Sequence, residues 1–208
     1  MLTVVYFWRI RKMGLPIAIL NMATNKMMLK RIPGISFIKL LGTGKGETFT
    51  PKDADQFRWG ILVTIKQDDL DRLEQSQVLK IWRKISLNEY RIMLKPISSH
   101  GYWSGEQPFE VEKFEWNGKI AAITRARIVW RKNFQFWRAV PPVTLSLNQS
   151  PGLLSAIGIG EAQSVCKEPF QSGKVEPRCG SLRTKAMPIL RRLTVSYTHL
   201  TLPTKRIV

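Results

Sequence analysis

Cysteine is almost missing from this chain of 208 residues: there are two, Cys166 and Cys179, and both fall in the last quarter. Residues 1–161 therefore hold no disulfide framework and no thiolate metal site, a pattern that fits a cytosolic protein. Histidine is as scarce, with His100 and His199 the two examples. An iron facial triad in its usual form needs two histidines, and zinc hydrolase sites draw on similar ligands, so neither chemistry is expected. No apolar run approaches the ~18 residues that a bilayer-spanning helix needs. The opening MLTVVYFWRIRKMG carries its charges after its apolar run and offers no small-residue cleavage site, so it does not read as a signal peptide. A nucleophile elbow is missing too. GTGKGET, residues 42–48, lacks the full spacing of a phosphate loop.

Acidic residues are few, and the net charge is +18. That charge is uneven: +11 accumulates up to Glu161, and +7 sits on the 47 residues that follow. A basic surface suits nucleic acid or anionic lipid. A nucleic-acid partner is not expected, because the strands lack an RNA-stacking signature and no arginine-rich tract dominates the body.

What is present is a core-forming body. LTVVYFW (2–8) and FRWGILVTI (57–65) are β-branched and aromatic, and read as strands. Ile17 to Leu29 suits a helix that ends before Pro33. PGISFIKLLGTG is a turn, an apolar strand and a glycine-rich exit. Asp68 or Asp69 is placed to cap a helix in which Leu70, Leu73, Val78, Ile81 and Trp82 recur at near-helical spacing. Strand, helix, strand, strand, helix approaches a ferredoxin-like unit.

The order then restarts. AAITRARIV (121–129) is strand-like, and residues 132–140 form a short amphipathic helix before Pro141-Pro142. PGLLSAIGIGE answers PGISFIKLLGTG: Pro33-Gly34 matches Pro151-Gly152, and Gly42 and Gly44 match Gly158 and Gly160. The fold class expected is α+β, with tandem ferredoxin-like units forming a dimeric α+β barrel and the second unit incomplete. Residues 1–95 form the first unit, 96–120 a linker loop, 121–161 the truncated second unit, and 162–208 an artefactual, disordered tail.

The tail is the reason for that truncation. After Glu161 a strand and a helix are due, yet the sequence gives Pro, Gly, Ser and scattered charge. The codons of CKEPFQSGK can be written so that reading from the third base gives Gln-Gly-Thr-Phe-Ser-Val-Trp-Lys, the alternating strand the repeat demands. A frameshift just after Glu161 accounts for this. SYTHLTLPTKRIV resembles translated adapter sequence, which removes His199 from functional argument. A sheet left without its closing strand and helix exposes apolar surface and an open edge, which favours aggregation.

Few residues are candidates for chemistry. His100 sits in a Ser-, Gly- and Pro-rich loop, where an imidazole can ligate haem iron or remain a plain surface histidine. Lys45 and nearby backbone amides can hold an anion such as a haem propionate, or simply form a tight turn. Arg125 and Arg127 share one face of a strand, where they would anchor a carboxylate or remain solvated. Trp103, next to Tyr102, and the cluster Trp130, Phe134, Phe136 and Trp137 suit core packing or the wall of a pocket for a long apolar substrate.

RIPGISFIKLLGTGKGETFTP, HGYWSGEQPFE, AAITRARI, FWRAVPPV and PGLLSAIGIGE together resemble the carotenoid-oxygenating spheroidene monooxygenase family, from near residue 1 to Glu161 and again in the shifted frame. The resemblance implies an oxygenase that places a keto group on an acyclic carotenoid such as spheroidene by successive hydroxylations. It implies haem, molecular oxygen as co-substrate, an electron donor such as ferredoxin, and a dimeric α+β barrel. A carotenoid must be drawn from membrane, so a cytoplasmic protein peripheral to the inner membrane is expected. On this reading His100 is the haem ligand, Arg125 and Lys45 assist cofactor binding, and Trp103, Trp137 and Phe134 contact substrate. The alternative is a non-catalytic protein that binds haem or a small apolar ligand.

Overall fold

The structure is a computed structural model and describes residues 1–45, 53–112, 114–127, 138, 140, 142, 149, 153–161 and 196–205, with 124–127 and 196–205 as backbone only. Its centre is β1 (Leu2–Ile10), flanked antiparallel by β3 (Ala54–Ile65) and β4 (Ser86–Leu94). β2 (Ile35–Gly44) adds to the far side of β3. β1 is buried along nearly all its length because both of its faces are covered, which is why LTVVYFW is apolar at consecutive positions rather than alternate ones.

Helices cover one face. α1 (Leu15–Leu29) begins with Pro16 in its first turn and crosses from β1 to β2. The second helical segment, expected as one helix, is two. A 3₁₀ turn at Gln67–Asp69 leads into α2 (Leu70–Glu74), and α3 (Gln77–Ile85) starts anew at Ser76. The Ser76 hydroxyl accepts a hydrogen bond from the Leu79 amide at 3.3 Å, capping α3. Asp69 makes no side-chain cap; its carboxylate accepts from Arg72 at 3.0 Å. Even-numbered residues of β1 (Val4, Tyr6, Trp8, Ile10) meet Leu73, Leu79, Trp82 and Ile85 in the larger core. Each fully buried chain of that size contributes about 1.5–3 kcal/mol.

No helix among the elements described above packs on the opposite face. Val5, Phe37, Leu41, Leu62 and Leu94 form a second core there, covered by Trp103 and Phe109 from the segment after β4. Phe7 belongs to this face as well, and Gly60 lies opposite it in the neighbouring strand. A Cβ on Gly60 would come within 2.9 Å of the Phe7 ring, so only glycine admits that ring across the strand.

Three short or peripheral strands complete the sheet: β5 (Ser98–His100), β6 (Ile120–Arg127) and β7 (Ile159–Glu161), with β8 (Ser196–Lys205) between them at one end. The path runs β5-β8-β4-β1-β3-β2-β7, with β6 also on β8. This corrects the expectation of tandem units forming a barrel. The architecture is α+β, but among the described residues it is one sheet whose end strands do not pair with each other, as closure into a barrel would require. The two Gly-x-Gly segments do not found separate sheets. They pair with each other: Gly42 lies opposite Gly160, Thr43 opposite Ile159, and the Gly44 amide donates to the Gly158 carbonyl at 2.8 Å. A local two-fold through the Thr43–Ile159 pair therefore exchanges the two glycine motifs.

Candidate functional site

Where β7 meets β2, one carboxylate gathers three segments of chain. Glu161 Oε2 accepts from Lys39 Nζ at 2.9 Å, and Glu161 Oε1 accepts from the Trp103 indole at 2.7 Å. Lys39 Nζ also donates to the Ser104 hydroxyl at 2.5 Å. The Lys39 ammonium stands 5.4 Å from the Phe37 ring centre and 5.7 Å from that of Trp103, so two aromatic faces share its charge. Lys39 is 12% exposed and Glu161 32%, which makes this a half-buried, neutral pair at the rim of the helix-free core.

Local sequence explains the approach of Trp103. Residues 103–106, WSGE, form a tight hairpin turn in which the Trp103 amide donates to Glu106 at 2.8 Å and the return bond is 3.2 Å. Its central residues have positive φ, 56° at Ser104 and 81° at Gly105, the signature of the primed turns that match strand twist. Glycine adopts this at no steric cost and serine at about 1 kcal/mol, and here the serine hydroxyl meets Lys39. The turn drives the Trp103 ring inward until 2% of it is exposed, edge-on to Phe37 at 5.5 Å and beside Phe109 at 6.3 Å. Phe37, Trp103 and Phe109 form an aromatic wall over the aliphatic face of Val5, Leu41, Leu62 and Leu94. Alongside, Lys26, Lys30, Ser36, Lys39, Ser104 and Glu106 line a groove of about 170 Å³.

A second charged cluster lies on the helix side. Glu74 accepts from the Tyr6 hydroxyl at 2.8 Å, from Arg91 at 2.6 Å and from Arg83, and Arg83 also donates to Glu89 at 2.9 Å. Burial alone would raise the Glu74 carboxyl, but hydrogen bonds from Arg83, Tyr6 and Arg91 outweigh it and hold it below the usual glutamate value. Burial, and then the Glu74 charge, push the Tyr6 phenol well above its ordinary range. The bond to Glu89 leads the causes that raise Arg83. Tyr6, Trp8 and Trp82 stack in sequence with ring centres 5.4 and 5.1 Å apart. This cluster fastens α2, α3 and β4 to β1.

The sequence-derived site residues scatter. Trp103 lies in the aromatic wall. His100 is exposed on β5, with its Nε2 3.1 Å from the Ser98 hydroxyl. Arg125 lies on β6, and β5 and β6 flank β8, so His100 and Arg125 are about 10 Å apart in backbone terms. Lys45 follows β2 at the far end of the strand path. The amides of Gly44 and Lys45 are already donated, to Gly158 and to Asp53 at 2.7 Å, and so are not free for an anion. The structure thus places His100 on β5 and Lys45 after β2, toward opposite ends of the strand path. Phe134 and Trp137 lie outside the described residues, as do residues 162–195, where the shifted-frame strand was expected. Sequence reasoning missed Lys39 and Glu161, though a lysine within the apolar run FIKLLG was a visible signal.

No family model matches the chain. The spheroidene monooxygenase of Cereibacter sphaeroides is 32% identical over 153 residues, which is 72% of this chain and 47% of that protein. That of Rhodobacter capsulatus is 33% identical over 153 residues, 71% of this chain and 63% of the relative. That of Rubrivivax gelatinosus is 28% identical over 140 residues, 66% and 54% of the two chains. The chain thus spans about half the length of the curated relatives it matches. Among solved structures, a Nitrosomonas europaea protein described as an antibiotic biosynthesis monooxygenase has a TM-score of 0.36 and 11% identity, over 45% of this chain and 95% of its own. That resemblance is too slight to fix fold or chemistry. The sequence matches carry the conclusion: over most of its length this chain is homologous to the spheroidene monooxygenases.

Proposed function

We propose that this chain takes part in oxygenating an acyclic carotenoid such as spheroidene, with molecular oxygen as co-substrate and a protein electron donor such as ferredoxin. The observation that carries the reading is the homology to three spheroidene monooxygenases. Phe37, Trp103 and Phe109 are buried at 5%, 2% and 6% exposure and pack on Leu41 and Leu62, so the aromatic wall is core in this state and the reading rests on the homology. Pairing with Glu161 neutralises Lys39, so the rim presents no bare cation to a hydrocarbon.

In each insertion, dioxygen takes up two electrons and two protons. One oxygen atom enters a C–H bond and the other leaves as water. A second insertion at the same carbon gives a diol that loses water to a ketone. The chain's residues would bind and orient the polyene and exclude water, while the oxidising power comes from whatever group activates dioxygen.

The test incubates the full chain with spheroidene in detergent, reduced ferredoxin and isotopically labelled dioxygen, beside the Rhodobacter capsulatus relative as positive control. Labelled hydroxy- and keto-carotenoid identified by mass spectrometry is the expected result. Carotenoid that binds but stays unoxidised while the control turns over would replace the proposal with a passive apolar-ligand binder.

A further inference from the structure

α1 carries apolar residues on both of its faces: Ala18, Met22 and Leu29 enter the core, and others point outward. Its inward positions include Asn21 and Asn25, buried at 6% and 1% exposure, and Asn21 Nδ2 and both amide atoms of Asn25 lack a hydrogen-bond partner among the described residues. Its outward positions are aliphatic: Leu20 and Met27 are each 62% exposed, Ile19 57%, and Met13, in the turn that leads into the helix, 93%. Met13, Ile17, Leu20, Thr24 and Met27 recur at spacings of four and three, so they form one stripe along the helix. A surface helix normally turns charged and polar residues outward.

Charge identifies what meets this stripe. Arg11 and Lys12 precede the helix, Lys26 lies in its last turn, and Lys30 and Arg31 follow it. None of the five makes an ion pair among the described residues. No Asp or Glu occurs anywhere before Glu47. Glu106 is the carboxylate in the lining of the adjoining groove. A second copy of the chain docked through this stripe about a two-fold would set the same cations against each other. An anionic lipid surface accepts both features: acyl chains take the aliphatic stripe, and headgroup phosphates take the cations at its ends.

We infer that the outward face of α1 is a membrane-docking surface, on which Met13, Ile17, Leu20 and Met27 enter the headgroup–acyl boundary of an anionic bilayer while Arg11, Lys12, Lys30 and Arg31 bind lipid phosphates. The inference stands without the carotenoid reading, since lipid binding is measured with no carotenoid present.

Flotation of the full chain with phosphatidylglycerol–phosphatidylcholine vesicles tests it. Binding is expected with the mixed vesicles and is expected to weaken sharply with pure phosphatidylcholine. The double variant Leu20→Glu/Met27→Glu, or the milder Leu20→Ser/Met27→Gln, is expected to lower the partition coefficient roughly tenfold or more. Removing charge with Lys12→Gln or Lys30→Gln is expected to lower it about fivefold each. All these side chains are exposed, so the thermal midpoint serves as control and should not move. Absence of wild-type binding to anionic vesicles overturns the inference. So does binding that the apolar variants leave intact, which would indicate a diffuse electrostatic surface. Apolar variants that dissolve a dimer in sedimentation while vesicle binding persists would reassign the stripe to self-association.

Discussion

The two faces of the central sheet are closed by different means. On the helix side, the Tyr6–Trp8–Trp82 stack and the Glu74–Arg83–Arg91 cluster join elements that all lie within residues 1–94, in one uninterrupted run of chain. On the other side, part of the cover comes from later in the chain: Trp103 bonds Glu161, and Lys39 reaches Glu161 across 122 positions. The first face is complete within residues 1–94, although Tyr6 reaches Glu74 across 68 positions; the second depends on a turn and a three-residue strand that follow it. Stability should therefore be concentrated on the helix side, and the helix-free face should open first.

Matched truncations test this most strongly. Trp82→Ala should cost about 3–5 kcal/mol and lower the urea midpoint as seen by every probe, because it removes the ring on which Trp8 stacks. Trp103→Ala should cost about 3 kcal/mol, with amide exchange accelerating in β7 and residues 103–109 well before β1. Equal, global acceleration in both variants would remove the distinction between the faces.

Gly60→Ala probes the helix-free core from within. The added methyl meets the Phe7 ring at 2.9 Å and should cost roughly 1–3 kcal/mol by thermal unfolding, with Gly60→Ala/Phe7→Leu recovering most of it.

The helix-side cluster should reveal itself by pH. Glu74 is held below its usual value of 4.5, so its contribution is complete above that pH and is lost as pH falls through the lower, folded-state value. Glu74→Gln should be less stable at neutral pH and should show a flatter loss of stability on acidification below about 4.5. An unchanged acid profile would mean that other carboxylates govern it.

The smallest effect belongs to the rim. A double-mutant cycle of Lys39→Met with Glu161→Gln should give a coupling of about 0.5–1 kcal/mol, since the glutamate is one-third exposed. Coupling near zero would make Glu161 a partner of Trp103 alone.

Much of the first half was legible because its apolar residues are dense and its breakers well placed. β1, β2, β3 and α1 follow from the β-branched runs, Pro33-Gly34 and the helix formers of residues 17–29. β4 was not, because SLNEYRIML keeps four consecutive residues exposed and shows little of an apolar pattern. The helix over 70–82 broke at Ser76 because a serine N-cap restarts the ladder, a local choice that apolar spacing alone conceals. The glycine repeat is visible as a likeness between two segments, but the tandem units expected from it are not what forms. Two similar segments can found two sheets or pair with each other, and only edge availability decides. Trp103 was identifiable as an aromatic in a turn-rich segment; its carboxylate partner, 58 residues away, was not.

The short strand β7 has a consequence for biosynthesis. β2 is complete once Gly44 has left the ribosome, yet the strand that covers its outer edge begins about 115 residues later. At typical translation speeds that gap lasts on the order of ten seconds. For that interval the nascent chain offers an unpaired hydrogen-bonding edge at Leu41–Thr43, open to a neighbouring polypeptide.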